Sequence, residues 1–257
     1  MILHRAALAL WLAILPVSRL AFAMVGGARP AEPEIAQHLV LLVGSRGNSC
    51  SGVAIARDLV LTAAHCVLPG ADYKLVTFDA AHQPQFKDIA TVARHPQFNL
   101  ATLLAHRATA DVALLKLTTD LPPAFAPAPL ARPDRKVAVG DEFIVAGYGV
   151  TLRGDGRTGG TARAATLVAT GQPGMLQIRL FDPATRNERA GLGACTADSG
   201  APAFETDQRH AVVGVVSWTT GPQLTDGCGG LTGITPLARY RAWIVETAGN
   251  AGSSLAP

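Results

Sequence analysis

Short apolar segments separated by turn-forming residues constrain the fold of this 257-residue chain more than any other feature. Gly, Pro, Asp and Asn lie between these segments. Many short strands with such spacing are typical of an all-β sandwich or barrel. The segments predicted to be strands are residues 39–43, 53–55, 59–61, 112–117, 143–146, 165–170, 175–180 and 212–217.

One helix is predicted, near the C-terminal end. In residues 236–247 the side chains of Leu237, Tyr240, Trp243 and Ile244 recur at helical spacing. The chain is therefore expected to be almost entirely β, with a single terminal helix.

The first 23 residues have the pattern of a secretory signal peptide. His4 and Arg5 give a short basic start, and residues 6–17 form an apolar run too short to span a bilayer comfortably. Ala21-Phe22-Ala23 is a small-residue cleavage site. The alternative is an uncleaved membrane anchor. Residues 1–23 are expected to be removed, which predicts a secreted or periplasmic protein.

Charge and cysteine content narrow the function further. The formal net charge is only +3, and no Lys/Arg cluster alternates with aromatic residues, so nucleic-acid binding is not indicated. An even number of cysteines in an exported chain favours disulfides, and four cysteines allow three pairings. No C-x2-C or H-x3-H spacing supports a zinc site. The cysteines are Cys50, Cys66, Cys195 and Cys228.

Three segments carry residues that together make a serine nucleophile. His65 ends the run Leu-Thr-Ala-Ala-His before Cys66, Asp111 begins an apolar segment, and Ser199 lies in Cys-Thr-Ala-Asp-Ser-Gly-Ala-Pro. A serine hydroxyl needs an imidazole to take its proton and a carboxylate to orient that imidazole. The order His, Asp, Ser along the chain is one of three unrelated orders in which such catalytic triads occur.

These segments resemble the chymotrypsin/trypsin family of serine proteases from about residue 24 to residue 244. The resemblance implies two six-stranded antiparallel β-barrels, packed with the active site between them and followed by the C-terminal helix. The first barrel is expected at about 24–121 and the second at about 134–235. The proline-rich stretch 121–133 is expected to link them.

The resemblance also implies a role for each catalytic residue. Ser199 would attack the scissile carbonyl, and His65 would act first as general base and then as general acid. Asp111 would orient and stabilise the imidazolium, although an aspartate at a strand start is also a common turn residue. The hydroxyl of Ser217 would reach the same carboxylate. His65 and Asp111 would come from the first barrel and Ser199 from the second.

The oxyanion hole is expected to consist of the backbone amides of Ala197 and Ser199. The family usually has glycine at the positions of Ala197 and Ala201. Glycine tolerates backbone angles that a Cβ disfavours, so Ala197 raises the question of whether its peptide can point the right way. Loss of one donor would cost about 10²–10³ in turnover.

Two further features follow from the resemblance. It pairs Cys50 with Cys66 and Cys195 with Cys228.

The segment Met24-Val25-Gly26-Gly27 is similar to the family's mature start, Ile-Val-Gly-Gly. In the family, the α-amino group of that start pairs with the buried acid before the nucleophile, which is Asp198 here. Because this segment follows Ala23 directly, signal peptidase itself would create the activating terminus, with no separate propeptide.

The primary substrate pocket is expected to have Gly193 at its base and no carboxylate there. Thr219 would narrow one wall, which also contains Ser217 and Trp218, and Gly230 would form the opposite wall. The sequence therefore predicts cleavage after small or medium uncharged side chains. Asp226, in a long stretch before Cys228, leaves a basic preference open.

The leading hypothesis is an exported, monomeric serine endopeptidase that acts on polypeptides without a cofactor or metal. After removal of the signal peptide no membrane association is expected, and no nucleic-acid partner. The alternative is a catalytically weak or inactive homologue that serves as a binding module. An esterase of the α/β-hydrolase type is disfavoured, because Ser199 lacks the Gly-x-Ser-x-Gly elbow and the order of the three residues differs.

Overall fold

The computed structural model describes residues 24–78 and 83–257, so the predicted signal peptide lies outside the described residues. Helices are few: α1 (Pro33–Ala36), α2 (Leu100–Leu104) and α3 (Arg241–Asn250), with 3₁₀ turns at Ala64–Val67, Gly156–Thr158 and Pro222–Leu224. The strands are β1 (Arg29–Pro30), β2 (Leu39–Gly44), β3 (Ser49–Ala56), β4 (Leu59–Thr62), β5 (Tyr73–Phe78), β6 (Pro84–Arg94), β7 (Ala113–Leu117), β8 (Glu142–Gly147), β9 (Arg163–Thr170), β10 (Ile178–Phe181), β11 (Pro202–Glu205), β12 (Val212–Thr219) and β13 (Thr232–Pro236).

Six strands close the first barrel, in the order β2-β3-β4-β7-β6-β5, and all neighbouring pairs are antiparallel. Its interior is apolar, because alternate side chains of each strand point inward. Leu42, Val60, Leu75 and Leu115 pack together there and are almost completely buried.

A second closed set of strands runs β8-β9-β10-β13-β12-β11, again antiparallel, with β1 added at β9. Phe143, Leu167, Leu180 and Ile234 fill its core. The predicted architecture of two six-stranded antiparallel barrels and a C-terminal helix is confirmed.

One buried cluster joins the two barrels. Leu61 and Leu114 of the first barrel pack in the same cluster as Phe204 and Val215 of the second, and Ile244 of α3 belongs to it as well. Burial of such side chains is worth roughly 1.5–3 kcal/mol each, so this shared core holds the barrels in one arrangement. The loops that carry the catalytic candidates meet at its edge.

Some boundaries differ from the prediction. Residues 29–30 pair with β9, so the N-terminal segment belongs to the second barrel and not to the first. The helix begins at Arg241 instead of residue 236, because Pro236 is the last residue of β13 and pairs with Gly214. Strand β6 was not predicted, since most of its side chains are exposed and it has no apolar run.

Candidate active site

Asp111 lies in the loop before β7, and its side chain is completely buried. Its Oδ1 accepts a hydrogen bond from the backbone N–H of His65 at 2.9 Å, and its Oδ2 accepts one from His65 Nδ1 at 2.7 Å. The hydroxyl of Ser217 donates to the same Oδ2 at 2.5 Å. A buried carboxylate is costly unless it is hydrogen-bonded, and here three donors compensate that cost.

His65 lies in the 3₁₀ turn Ala64–Val67 that follows β4. About a fifth of its side chain is exposed, while its carboxylate partner is not. Donation from Nδ1 to Asp111 puts the ring proton on that nitrogen, so Nε2 is left as an acceptor. An imidazole held in this tautomer can accept a proton from a hydroxyl at Nε2.

Ser199 is brought to the same place by the loop before β11. Its carbonyl oxygen accepts a hydrogen bond from Ser51 N–H at 2.8 Å. The Sγ of Cys66 lies 3.6 Å from that oxygen and 3.9 Å from His65 Nε2, so the imidazole and the serine loop are neighbours. Within residues 24–78 and 83–257, no hydrogen bond joins Ser199 Oγ to the ring.

Both predicted cysteine pairs form disulfides, Cys50–Cys66 and Cys195–Cys228. The first ties β3 to the turn that carries His65, and the second ties the serine loop to the segment before β13. Cys50 and Cys66 also lie near His65, but disulfide sulfurs are not the thiolates that bind metal ions. The disulfide therefore explains why Cys50 and Cys66 lie together beside His65.

The backbone at Ala197 is left-handed, with φ +72°. A residue with a Cβ adopts this conformation at a cost of about 1–2 kcal/mol, which glycine avoids. The carbonyl of Thr196, in the peptide bond before Ala197, accepts a hydrogen bond from Val150 N–H at 2.9 Å. Because the trans peptide is planar, the N–H of Ala197 points away from Val150.

The amides on either side of Asp198 have no acceptor in the described part of the chain. Asp198 N–H donates to Cys195 O and Gly200 N–H donates to Val216 O, whereas Ala197 N–H and Ser199 N–H make no hydrogen bond among these residues. Two unengaged amides beside a serine hydroxyl are what an oxyanion hole requires.

Asp198 is completely buried. Burial raises the pKa of Asp198 to about 7, although hydrogen bonds from Cys195 N–H and Gly149 N–H, each 2.9 Å, oppose that shift. A Cβ on Gly149 would lie 2.2 Å from Asp198 Oδ2, so only glycine leaves room for the carboxylate. The carboxylate has amide donors and no cation beside it in the described residues.

Met24 is completely buried in the second barrel, in the same core cluster as Ala194. The next residue, Val25, forms a β-bridge with Gly193, so the N-terminal segment lies against the loop that leads to Ser199. No hydrogen bond joins Met24 to Asp198 in the part of the chain that the structure describes. In this chain the nitrogen of Met24 is a peptide amide, not a charged terminus.

Gly193 is buried, and the nearest atoms to a Cβ placed on it are Gly229 Cα and Thr232 Oγ1, both at 3.3 Å. The Thr232 hydroxyl accepts a hydrogen bond from Ala194 N–H at 3.0 Å. Sequence reasoning did not single out Thr232, because a threonine in a strand carries no motif. It faces Gly193 only because β13 crosses this place.

Thr219, at the end of β12, contacts the backbone on two sides of the expected pocket. Its hydroxyl donates to Ala194 O at 2.8 Å and lies 3.2 Å from Leu231 O. The neighbouring Trp218 lies against Gly233, where an added Cβ would be 1.9 Å from the indole. The hydroxyl of Thr219 is therefore held between the backbone segments of Ala194 and Leu231.

Gly230 lies beside Gly221, and its N–H donates to Thr220 O at 2.9 Å. Asp226 lines a cavity of about 390 Å³ together with Trp218 and Thr219, to which Arg107 and Arg179 also contribute. This cavity is lined by Trp218 and Thr219 of the expected pocket, but Gly193 is not among its lining residues.

The fold and this site together define a two-barrel serine protease. The model of the trypsin family matches residues 24–244. The chain therefore belongs to the trypsin family, and its relatives support serine endopeptidase activity. In the described part of the chain, no helix is both long and apolar enough to cross a membrane.

Similar proteins cover most of the chain. The snake venom serine protease rhinocerase 4 of Bitis rhinoceros is 28% identical over 91% of this chain and 91% of its own length. The vitellin-degrading protease of Bombyx mori is 29% identical over 79% of this chain and 77% of its own length. A solved structure of human heparin binding protein has the same fold, with a TM-score of 0.70 and 24% identity over 91% of this chain and all of that one.

Proposed function

We propose that this protein is an exported serine endopeptidase in which Ser199, His65 and Asp111 form the catalytic triad. The observation that carries the proposal is the His65–Asp111 pair, because its 2.7 Å hydrogen bond orients the imidazole while Nε2 lies near Cys66, which contacts the serine loop. Polypeptides are the substrates, and no cofactor or metal takes part. The protein acts as a monomer and binds neither nucleic acid nor, once processed, a membrane.

In the proposed reaction His65 Nε2 takes the proton of Ser199 Oγ as that oxygen attacks the peptide carbonyl. The amides of Ala197 and Ser199 receive the negative charge on the carbonyl oxygen. The imidazolium then protonates the leaving amine, which departs and leaves an acyl-enzyme. Water, deprotonated by the same imidazole, releases the acyl group and restores Ser199. The carboxylate of Asp111 stabilises the imidazolium throughout.

Activation requires a charged terminus at Met24. Cleavage after Ala23 would give Met24 an α-ammonium group within the same fold, and the buried, unpaired carboxylate of Asp198 is the group it would neutralise. The bridge between Val25 and Gly193 already draws the N-terminal segment towards this loop. Amino-terminal sequencing of the exported protein should find Met24 first. A start elsewhere would exclude activation by signal peptidase.

The primary pocket accepts small uncharged side chains. Gly193, with no carboxylate beside it in the described contacts, gives no group that would hold Arg or Lys, and Thr219 closes the entrance to larger residues. Ser217 and Trp218 form the wall along which the substrate lies, and Gly230, whose N–H donates to Thr220 O, forms the opposite wall.

A fluorophosphonate probe tests the central proposal, because it reacts only with a serine activated by a base. Labelling should occur on Ser199 and should disappear in His65→Ala. The alternative, a protein that binds peptides without cleaving them, is favoured by the left-handed Ala197 and by the Thr219 bridge across the pocket. An unlabelled but folded wild-type protein would establish that alternative and reject the endopeptidase.

A further inference from the structure

Ser51, in β3, is completely buried beside the loop that carries Ser199, and each of its polar groups is engaged there. Its N–H donates to Ser199 O at 2.8 Å, and its hydroxyl donates to Ala197 O at 2.9 Å. The Ser51 hydroxyl in turn accepts a hydrogen bond from Tyr148 N–H at 2.8 Å, and the backbone carbonyl of Ser51 accepts one from Thr62 Oγ1 at 2.8 Å. Ser51 thus connects its own strand in the first barrel with Tyr148 of the second barrel and with the loop that carries Ser199.

The hydroxyl of Ser51 acts on the peptide bond between Ala197 and Asp198. The carbonyl of that peptide is held by Ser51 Oγ, and its N–H donates to Cys195 O at 3.0 Å. The preceding peptide is held at its carbonyl by Val150 N–H at 2.9 Å. With the peptides on both sides anchored, Ala197 has no freedom to leave φ +72°.

We propose that Ser51 is a positioning residue: its hydroxyl holds Ala197 in the left-handed conformation that a glycine would adopt without help. The inference rests on the proposed function, because the group positioned is the Ala197 N–H of the oxyanion hole. Without the bond from Ser51, only the bond from Asp198 N–H to Cys195 O still holds the peptide after Ala197, so Ala197 can relax towards the φ values that a residue with a Cβ prefers. The amide before it would then turn away from the developing charge.

The test is a double-mutant cycle of Ser51→Ala and Ala197→Gly, with kcat and KM measured on one peptide substrate. Ser51→Ala should lower kcat about 10- to 100-fold, less than the loss of a complete oxyanion donor, while KM changes less than about twofold. In the Ala197→Gly background the same substitution should lower kcat less than about threefold, because glycine adopts positive φ unaided.

Thr77→Val is the matched control, since Thr77 is a buried hydroxyl of the first barrel that donates to the backbone of Gln85 at 3.4 Å, away from the nucleophile loop. It should lower the melting temperature without changing kcat. Equal losses of kcat from Ser51→Ala in both backgrounds would overturn the inference. So would a lower melting temperature with kcat unchanged, because Ser51 would then be structural only.

The outcome stays decisive if Ser51→Ala alone does not fold. A double variant that folds and turns over at close to the rate of Ala197→Gly supports the inference, and failure to fold in both backgrounds contradicts it. Amide hydrogen exchange at Asp198 gives a readout independent of activity: Ser51→Ala should accelerate it when Ala197 is present but not when glycine replaces it. If the wild type fails to react with the fluorophosphonate, the proposed function is wrong, and this exchange measurement still decides whether Ser51 holds the loop.

Discussion

At the scale of single residues, Asp111 is the group on which the imidazole depends. It holds His65 through both the backbone N–H and Nδ1, so it sets the position of the ring as well as its tautomer. The third donor, Ser217, leaves Oδ2 shared between two groups. The segment around Asp111 alone also fits a turn aspartate; its order relative to His65 and Ser199 indicates the catalytic role, and the hydrogen bonds to His65 support it.

Asp111→Asn should lower kcat about 10⁴-fold, because an amide at this position stabilises the wrong tautomer of the His65 imidazole. The fold should persist, since asparagine fills the same space and still accepts from His65 N–H. The measurement is kcat on a peptide substrate together with circular dichroism. A loss smaller than about tenfold would show that Asp111 does not orient the base.

Asp198 should make the stability of the unprocessed chain depend on pH. Its pKa of about 7 in the fold exceeds the ordinary value of 3.8, so the folded state binds the proton more tightly than the unfolded chain. Stability should therefore fall as pH rises from about 4 through 7, by on the order of a few kcal/mol if the carboxylate stays unpaired.

Melting temperatures across this pH range check the expectation, with a form that retains residues before Met24 compared with the form that begins at Met24. Asp198→Asn in the longer form is the control, because it removes the titrating group, and it should flatten the decline. In the processed form the α-ammonium group should stabilise the carboxylate and reduce the same decline. Identical profiles for the two wild-type forms would mean that the terminus does not pair with Asp198, and an unchanged profile in Asp198→Asn would mean that Asp198 is not the titrating group.

At the scale of secondary-structure elements, the strands that contain continuous apolar runs were predicted from the sequence, and several strands without such runs were missed. Strands β7 and β12 were predicted because both faces are buried, which gives an uninterrupted apolar segment. Strand β6 was missed because its side chains are mostly exposed, and β13 because it is short and contains Gly, Thr and Pro. Strand β13 brings Thr232 against Gly193, so this miss also hid a neighbour of the residue expected at the base of the pocket.

The end of β12 should decide the size of the residue before the cleaved bond. Thr219→Gly removes the side chain that bridges Ala194 O and Leu231 O, so kcat/KM for substrates with large apolar side chains should rise at least about tenfold relative to alanine. Thr219→Ser is the matched control: it keeps the hydroxyl and should leave the preference for small residues nearly unchanged. A profile unaffected by glycine would place the specificity pocket elsewhere.

At the scale of the whole molecule, the cleft combines groups that belong to different barrels. Arg107 comes from the loop before β7 and Arg179 from β10, and both line the cavity of about 390 Å³ beside Trp218. Both side chains are exposed, and among the described residues neither guanidinium forms an ion pair. Asp226 is the single acid that lines this cavity, so cations outnumber acids there.

A substrate with an acidic side chain that reaches this cavity should therefore be cleaved faster than its neutral counterpart. The preference should be several-fold at low salt and should weaken as salt rises, because exposed charges are screened. Replacing Arg107 and Arg179 with alanine should abolish it, whereas Arg132→Ala, which alters a different cavity, should not. A preference for basic side chains would instead show that Asp226 dominates the cavity.

The sequence by itself determined the class of the protein. The segments around His65, Asp111 and Ser199 are local, so their order along the chain identifies the chemistry, and short apolar runs indicate strands whatever their partners are. Only the tertiary structure decided how these parts work together. The hydrogen bond from Thr219 to Ala194 O, the pairing of β1 with the second barrel, and the hydrogen bond from Ser51 to Ala197 O all depend on contacts between residues far apart in sequence. Hydrogen bonds of that kind form only when packing of the two barrels brings their partners within about 3 Å, and local sequence does not specify that distance.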